Sequence, residues 1–280
     1  SINQSDTPWL RGSGYSAALL LCLMTLLAST SLTGGLVVLA FSQPFSLPHW
    51  PEALRQLSGP SAVLIPVVLS LALAAALRRR WLGWITLWVS LAHIFIVARA
   101  WGLWILALRI PDSGFRDALL NMDSSFALGR FAAWRFGLEL VLLLLVFHLS
   151  AALWRRLTLA PSLADWTVAR FEPALQRGFQ RWTAALLAVI SALVWLSRYQ
   201  LLWTRTGVVA GAGWLQDHWL LPLRTGIAGL LLVAALALLA ESIRVRSRRI
   251  QKLSLVLVGI LLLSELLITP LVGWLWLRPR

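Results

Sequence analysis

The chain has 280 residues, of which 59% are hydrophobic and only 13% are charged, and its formal net charge is +14. Soluble domains are about 45–50% apolar and about 25% charged, so this composition excludes an ordinary soluble protein and predicts an all-α polytopic membrane protein. Nucleic acid is not an expected partner, because the arginines cluster at the ends of predicted helices, where they meet lipid headgroups.

Seven apolar blocks follow one another along the chain. A membrane-spanning helix needs about 20 mostly apolar residues, and most of the blocks reach that length. The predicted spans are residues 16–41, 61–77, 81–108, 131–153, 182–203, 222–240 and 253–277. The second is the shortest and contains Pro66. Residues 1–280 are therefore predicted to form a single seven-helix transmembrane domain.

The basic residues between the blocks predict the orientation. With seven spans, the N-terminus and the loops after spans two, four and six share one side, which has 14 basic residues against ten on the other side. Loops rich in lysine and arginine stay in the cytoplasm. The N-terminus is therefore predicted inside and the C-terminus outside. Tryptophans near the span ends, among them Trp84, Trp88 and Trp274, are typical of membrane–water interfaces.

The segment 162–179 is predicted to form a cytoplasmic amphipathic helix. Ser162 and Asp165 have the spacing of a capping box, and apolar residues alternate with arginines that can bind anionic lipids. Pro173 is expected to kink or split this helix.

Five ionisable residues interrupt the predicted spans, and charges at membrane depth are costly unless they have a partner or a function. They are Arg99, Arg135, Glu139, Arg198 and Glu265. Two interpretations are open. In the structural one, Arg99 and Arg198 reach the outer interface, Arg135 pairs with Glu139, and Glu265 is protonated or hydrogen-bonded. In the other, all five form a buried network that lines a polar cavity or a proton path.

Two histidines, His93 and His148, lie within predicted spans. Each could be an axial ligand of haem or chlorophyll, or a buried side chain bonded to a neighbour. No two histidines share a ligand-like spacing, so no metal site is predicted. The single cysteine, Cys22, is interpreted as a small apolar residue of the first span. No catalytic motif stands out, and the chain is not expected to be an enzyme.

The region from the fifth to the sixth span carries a recognisable pattern. Trp-Leu-x-Arg-Tyr-x-Leu-Leu begins at Trp195, Gly-Val-Val-x-Gly-Ala begins at Gly207, and Leu-Pro at Leu221 opens the next helix. This pattern resembles that of uncharacterised protein family 182, a group of large bacterial membrane proteins. The chain departs from the pattern where Trp214 replaces a tyrosine and Gln216 an aspartate, with Asp217 one place late.

The resemblance implies a seven-helix membrane domain with its N-terminus inside, followed by a large extracytoplasmic domain. The expected location is a bacterial plasma membrane, or an internal photosynthetic membrane. The family has no established activity that could be carried over to this chain. The glycines of the external loop permit tight turns, and a proline suits the first turn of the next helix. A docking surface and an ordinary tight connection both fit this loop. Its motif residues are Gly207, Gly211, Gly213, Trp214, Asp217 and Pro222.

The function expected first is an integral membrane scaffold or anchor, or an accessory subunit of a larger membrane protein complex. Its partners would be the bilayer, anionic lipids at the cytoplasmic loops and other membrane protein subunits. One alternative is a transporter or channel that uses the charges in the outer half of the membrane. Another is a subunit that carries haem or a pigment.

Overall fold

A computed structural model describes residues 8–42, 82–117, 120–157, 173–201, 205–206, 209–210, 216–243 and 256–267. These residues are helical apart from the connecting loops and one pair of two-residue strands. Within the described part, five helices are long and apolar enough to cross a membrane, judged by length and composition. The predicted all-α class is confirmed at that level.

In chain order the helices are α1 (Pro8–Ser42), α2 (Leu82–Arg99), α3 (Trp101–Arg109), α4 (Phe131–Leu157), α5 (Pro173–Gln200), α6 (Leu221–Ser242) and α7 (Val256–Leu267). Strand β1 (Arg205–Thr206) pairs antiparallel with β2 (Val209–Ala210), with Arg205 opposite Ala210. The π-helical turns Phe126–Arg130 and Gln216–Leu220 lead directly into α4 and α6.

Several predicted spans coincide with these helices. The first lies inside α1, and the fourth and sixth match α4 and α6 to within a few residues. The predicted span 61–77, residues 162–172 of the amphipathic helix, and residues 268–277 of the seventh span lie outside the described residues.

The predicted span 81–108 differs from the structure, which interrupts it at Ala100 and separates α2 from α3. The amide of Ala100 still reaches the carbonyl of Ile96 at 3.1 Å, but the amide of Leu103 bonds to Ala100, only three residues earlier. This tighter turn breaks the regular α-helical ladder. Hydropathy is continuous across the break, so the apolar pattern did not reveal it.

The predicted boundary between the amphipathic helix 162–179 and the fifth span, 182–203, also differs from the structure. Helix α5 runs without interruption from Pro173 to Gln200, so residues 173–179 continue into the predicted fifth span. Pro173 is the first residue of α5, and residues 162–172 lie outside the described part, so the kink or split expected at this proline stays a prediction. At that position a proline costs little, because the missing N–H would have no partner within the helix.

The chain divides into two compact units. The first comprises Ser1–Leu103 and Leu143–Leu175, and the second comprises Trp104–Leu142 and Gln176–Arg280. Helix α4 is therefore divided between the units: residues 131–142 belong to the second unit and residues 143–157 to the first.

In the first unit, α1 packs parallel to α2. Leu26 shares an apolar cluster with Leu82 near one end of the pair, and the rings of Phe41 and Phe95 lie 5.0 Å apart near the other. The second part of α4 runs antiparallel to α1, since Cys22 reaches the carbonyl of Ser150 and Leu26 packs with Phe147.

The buried face of α1 is rich in small polar residues. Ser29, Thr30 and Thr33 are buried, and each hydroxyl donates to a carbonyl three or four residues earlier in the same helix. Thr25 and Ser150 join their hydroxyls across the α1–α4 interface at 2.9 Å. Small side chains let helix backbones approach closely, and these bonds remove the cost of burying hydroxyls.

In the second unit, α5, α6 and α7 pack antiparallel in succession. Ser191 of α5 donates to the carbonyl of Ala228 at 2.7 Å. Leu231 of α6 and Val258 of α7 share one apolar cluster. The π-helical turn before α4 reaches the end of α5, where the rings of Phe126 and Tyr199 meet edge to face at 5.0 Å.

A close helix contact in the second unit joins α3 to α4 at Gly137. A Cβ added there would lie 3.0 Å from the indole Cη2 of Trp104. The Trp104 ring also packs on Phe136, with centroids 6.3 Å apart. A glycine at residue 137 therefore leaves the space that the indole occupies.

We expect Gly137→Val to lower the free energy of unfolding by about 1–3 kcal/mol, because methyl groups forced into a filled contact displace Trp104 or the backbone. The matched control is Gly229→Val in α6, where an added Cβ meets no atom within 4 Å. Thermal unfolding of both variants in one detergent measures the difference, and equal midpoints would contradict the close contact.

Candidate functional site

The five ionisable residues of the apolar blocks are divided between the units. Arg99 belongs to the first unit, and Arg135, Glu139, Arg198 and Glu265 belong to the second. Each has its own surroundings, described in turn below.

Arg99 bonds to the end of α1. Its Nε donates to the carbonyl of Ala40 at 3.0 Å, and Ala40 lies in the last turn of that helix. The last carbonyls of a helix have no partner within it, and they carry partial negative charge. Arg99 therefore caps the end of α1. The expectation that Arg99 reaches the outer membrane interface stays a prediction.

Arg135 and Glu139 form the predicted i,i+4 pair within α4. Arg135 Nε donates to Glu139 Oε1 at 2.8 Å, and the side chains are 22% and 12% exposed. The second oxygen, Glu139 Oε2, is buried and has no hydrogen-bond partner among the described residues. One oxygen of this carboxylate therefore accepts from Arg135, and the other lacks a hydrogen-bond partner in the described part of the chain.

Glu265 pairs with Arg224, which lies in the first turn of α6. Arg224 Nη2 and Nε lie 3.3 and 3.4 Å from Glu265 Oε1, and Arg224 Nη1 donates to the carbonyl of Ser197 at 2.9 Å. One guanidinium thus connects α5, α6 and α7. The available signal was the predicted start of span six at Pro222, which places Arg224 in its first turn beside an antiparallel neighbour.

Arg198 lies one residue after Ser197 on α5. Its guanidinium carbon is 4.0 Å from the ring centroid of Trp195, a cation–π contact within one turn of the helix. Its Nε and Nη1 are buried and have no acceptor among the described residues. Trp219 is a second donor of this kind in the same unit, since its indole Nε1 is also buried without an acceptor in the described part.

The two histidines of the predicted spans both lie in the first unit and have the same local bond. The Nδ1 atoms of His93 and His148 lie 2.8 Å from the carbonyls of Val89 and Leu144, four residues earlier. His93 Nε2 is buried and has no partner in the described part of the chain. Haem or chlorophyll ligation by these residues stays a prediction. Among the described residues, no group of three or more His, Cys, Asp and Glu side chains could hold a metal ion.

The external loop motif is described only in part. Asp217 lies in the π-helical turn before α6 and is 3.3 Å from the ring of His218. Pro222 is in the first turn of α6, as predicted. Gly207, Gly211, Gly213 and Trp214 lie outside the described residues.

The loop between α3 and α4 contains a bonded aspartate that the sequence analysis missed. Asp123 Oδ1 accepts from the amides of Ser113 and Ser125, and Oδ2 accepts from the amide of Gly114. Hydrogen bonds from the Ser113 backbone and then from Ser125 hold the pKa of Asp123 well below its usual range. These bonds order an exposed loop whose sequence predicted only a polar, acidic segment.

We expect Asp123→Asn to speed hydrogen exchange at the amides of Ser113, Gly114 and Ser125, because an asparagine amide offers one acceptor oxygen where the carboxylate offers two. Asp112→Asn, in the same loop but with its side chain 70% exposed, should have little effect. Exchange measured by mass spectrometry at neutral pH compares the two variants. Unchanged exchange in Asp123→Asn would contradict the network.

Amide protection in the same loop should be lost only in strong acid. Because the folded-state pKa of Asp123 is depressed, its stabilising contribution is complete above the unfolded value of about 3.9 and is lost as the pH falls through the lower folded value. Wild-type amide protection at Gly114 should therefore persist at the pH of the unfolded pKa and disappear only below it.

The ion pair of Arg224 and Glu265 should couple measurably in a double-mutant cycle. With Arg224→Met and Glu265→Met we expect a coupling energy of about 1–3 kcal/mol, since removal of one partner leaves a poorly solvated charge. The control cycle uses Arg130 and Asp112, whose charged atoms are 3.3 Å apart and whose side chains are 39% and 70% exposed. The coupling energy of this exposed pair should be less than about 1 kcal/mol. Chemical unfolding in detergent gives both values. Equal coupling in the two cycles would remove the special role of Arg224.

Comparison with known proteins identifies the family of the chain. The sequence profile described as "Uncharacterised protein family (UPF0182)" matches residues 4–279. The chain is similar to UPF0182 proteins of Synechococcus sp. strain CC9311 (42% identity over 98% of this chain and 29% of the relative) and strain CC9902 (38% identity over 96% and 28%). It is also similar to one of Prochlorococcus marinus strain MIT 9303 (36% identity over 97% and 28%).

No solved structure matches the chain. The chain spans less than a third of the length of these curated relatives. The match nevertheless extends over nearly the whole chain, well beyond the pattern between Trp195 and Pro222. The chain belongs to the uncharacterised protein family UPF0182.

Proposed function

We propose that this chain is the membrane-embedded domain of a longer bacterial protein, and that it acts as an anchor or scaffold without catalysis of its own. Four observations support this proposal: the distribution of polar and apolar side chains, the order of the helices, the arginine pattern and the length of the relatives.

The observation that carries the proposal is that many large apolar side chains are exposed, while small polar side chains are buried beside the apolar core. The described helices bury small polar residues in both units, such as Thr33 and Ser191, and the histidine His93. They expose large apolar side chains, such as Trp88 at 67% and Ile94 at 65% of α2. Large exposed apolar surfaces mark contact with something other than water. Hydrocarbon is the surrounding that suits long helices of this kind.

The order of the helices supports seven crossings. In the first unit α1 and α2 are parallel, so residues 43–81 connect the end of one helix to the opposite end of the pair. Two parallel crossings need one more crossing between them in the chain, and the predicted span 61–77, which lies outside the described residues, would supply it. In the second unit α5, α6 and α7 are antiparallel in succession, as three consecutive crossings would be.

The orientation follows from the arginines. We propose that the N-terminus and the arginine-rich loops lie in the cytoplasm, next to anionic lipids, and that the loop 110–125 and the end of α7 lie outside. The relatives are more than three times as long as the matched segment. The anchor would hold the rest of such a protein at the outer surface, and other membrane proteins would bind at its exposed helix faces.

A transporter or channel is the second candidate, and Glu139 is the observation that favours it. One of its carboxylate oxygens is bonded to Arg135, and the other is buried without a partner in the described part of the chain. Ionisable side chains inside membrane spans are typical of substrate and ion pathways. Solute-dependent flux into proteoliposomes that Glu139→Gln abolishes would favour transport over anchoring.

The anchor proposal predicts both firm membrane association and a defined topology. The protein should remain in the membrane pellet after an alkaline carbonate wash. In a Cys22→Ser background, Phe115→Cys should react with a membrane-impermeant maleimide in intact cells. Ser247→Cys should react only after permeabilisation, because its arginine-rich loop faces the cytoplasm.

The background for this labelling is low, because Cys22 is the only cysteine and is buried. Phe115 is a suitable outer position, since its side chain is 79% exposed. Release of the protein by carbonate would refute the anchor. Labelling of Ser247→Cys but not of Phe115→Cys in intact cells would reverse the orientation. Native purification with mass spectrometry and a visible spectrum would show whether subunits or a pigment accompany it.

A further inference from the structure

Arg198 lies on the face of α5 that packs against α6. Residues of this face recur at alternating spacings of three and four, and they are Ala184, Leu187, Ser191, Val194, Arg198 and Leu201. Ser191 bonds to α6, and Leu187 and Val194 pack on the cluster around Ile227. A charged residue thus occupies a position that apolar or small side chains hold elsewhere along the helix.

The guanidinium of Arg198 has donors that the described protein does not satisfy. Both Nε and Nη1 are buried and lack an acceptor there. The Trp195 ring covers the guanidinium at 4.0 Å, but a ring face does not replace an acceptor in the guanidinium plane. Buried donors in native proteins are nearly always bonded, and an exception calls for an explanation such as a bound ion.

The charges around Arg198 leave a positive surplus. Arg224 reaches the same turn of α5, because its Nη1 bonds to the carbonyl of Ser197. Glu265 neutralises Arg224 and has no described bond to Arg198. Asp217, the carboxylate before α6, lies beside His218. Among the described residues, the guanidinium of Arg198 therefore has no carboxylate partner.

We propose that Arg198 binds a single phosphate-bearing anion at the end of α5, with Arg224 adding to the positive potential. A guanidinium suits this role because it stays charged and its planar donors match the oxygens of phosphate. A phospholipid headgroup and free inorganic phosphate present the same chemistry to these donors.

This inference is independent of the anchor proposal, because an anchor needs no anion site. The test uses the protein purified in a phosphate-free neutral detergent. Thermal unfolding, followed by tryptophan fluorescence, is measured against inorganic phosphate. It is also measured in vesicles of phosphatidylcholine with and without phosphatidylglycerol. The variants are Arg198→Gln, Arg198→Lys and the control Arg109→Gln, which removes an exposed arginine at the end of α3.

We expect a saturable rise of the unfolding midpoint in wild type and in Arg109→Gln. Arg198→Gln should weaken the apparent affinity by about tenfold or more, which corresponds to the loss of one charge-assisted contact. A response to phosphatidylglycerol alone identifies a lipid headgroup, and a response to inorganic phosphate identifies the free ion. Both results support the site.

Three results would overturn the proposal: no response in wild type, an equal response in Arg198→Gln, or an equal loss in Arg109→Gln. Should Arg198→Gln fail to fold, Arg198→Lys keeps the charge without the planar donors. It should then bind several-fold more weakly than wild type, and an affinity equal to that of wild type would also overturn the role of the guanidinium.

Discussion

Polar groups between apolar helices must find their hydrogen-bond partners inside the protein, and much of this structure follows from that constraint. The hydroxyls of Ser29 and Thr33 bond back to their own helix, and Ser191 bonds across to α6. An unsatisfied group in such surroundings costs several kcal/mol. The interfaces therefore combine apolar clusters with small polar side chains that can approach a carbonyl, and many further large apolar side chains lie on the exposed faces.

The charged residues follow the same constraint by different means. Arg99 caps the end of α1, Arg135 pairs within its own helix, and Arg224 bonds to both α5 and α7. Each arrangement brings a cation to a carbonyl or carboxylate that would otherwise lack a partner. Within the described residues, two donors of Arg198 and one oxygen of Glu139 are the exceptions, because they are buried without a hydrogen-bond partner. These two groups are accordingly where a role beyond anchoring is proposed.

The sequence predicted the helical class, the family and which charged residues interrupt the apolar blocks. It did not predict the partners of most of these charged residues. The Arg135–Glu139 pair was predictable because both residues lie on one helix, four residues apart. The Arg224–Glu265 pair was not, because 41 residues separate its members. The interruption at Ala100 and the continuity of α5 through residue 179 were missed because hydropathy reports neither local hydrogen bonding nor the exact start of a helix.

The sequence by itself determined that long apolar helices dominate the described chain, because composition and block length need no knowledge of neighbours. It also determined the family, through a pattern of residues around Arg198. Only the tertiary structure decided that α1 and α2 are parallel, that Arg99 bonds to Ala40, and that Glu265 is neutralised by Arg224. Those facts depend on which helix faces meet, and a periodic apolar pattern leaves several faces equally suited to contact.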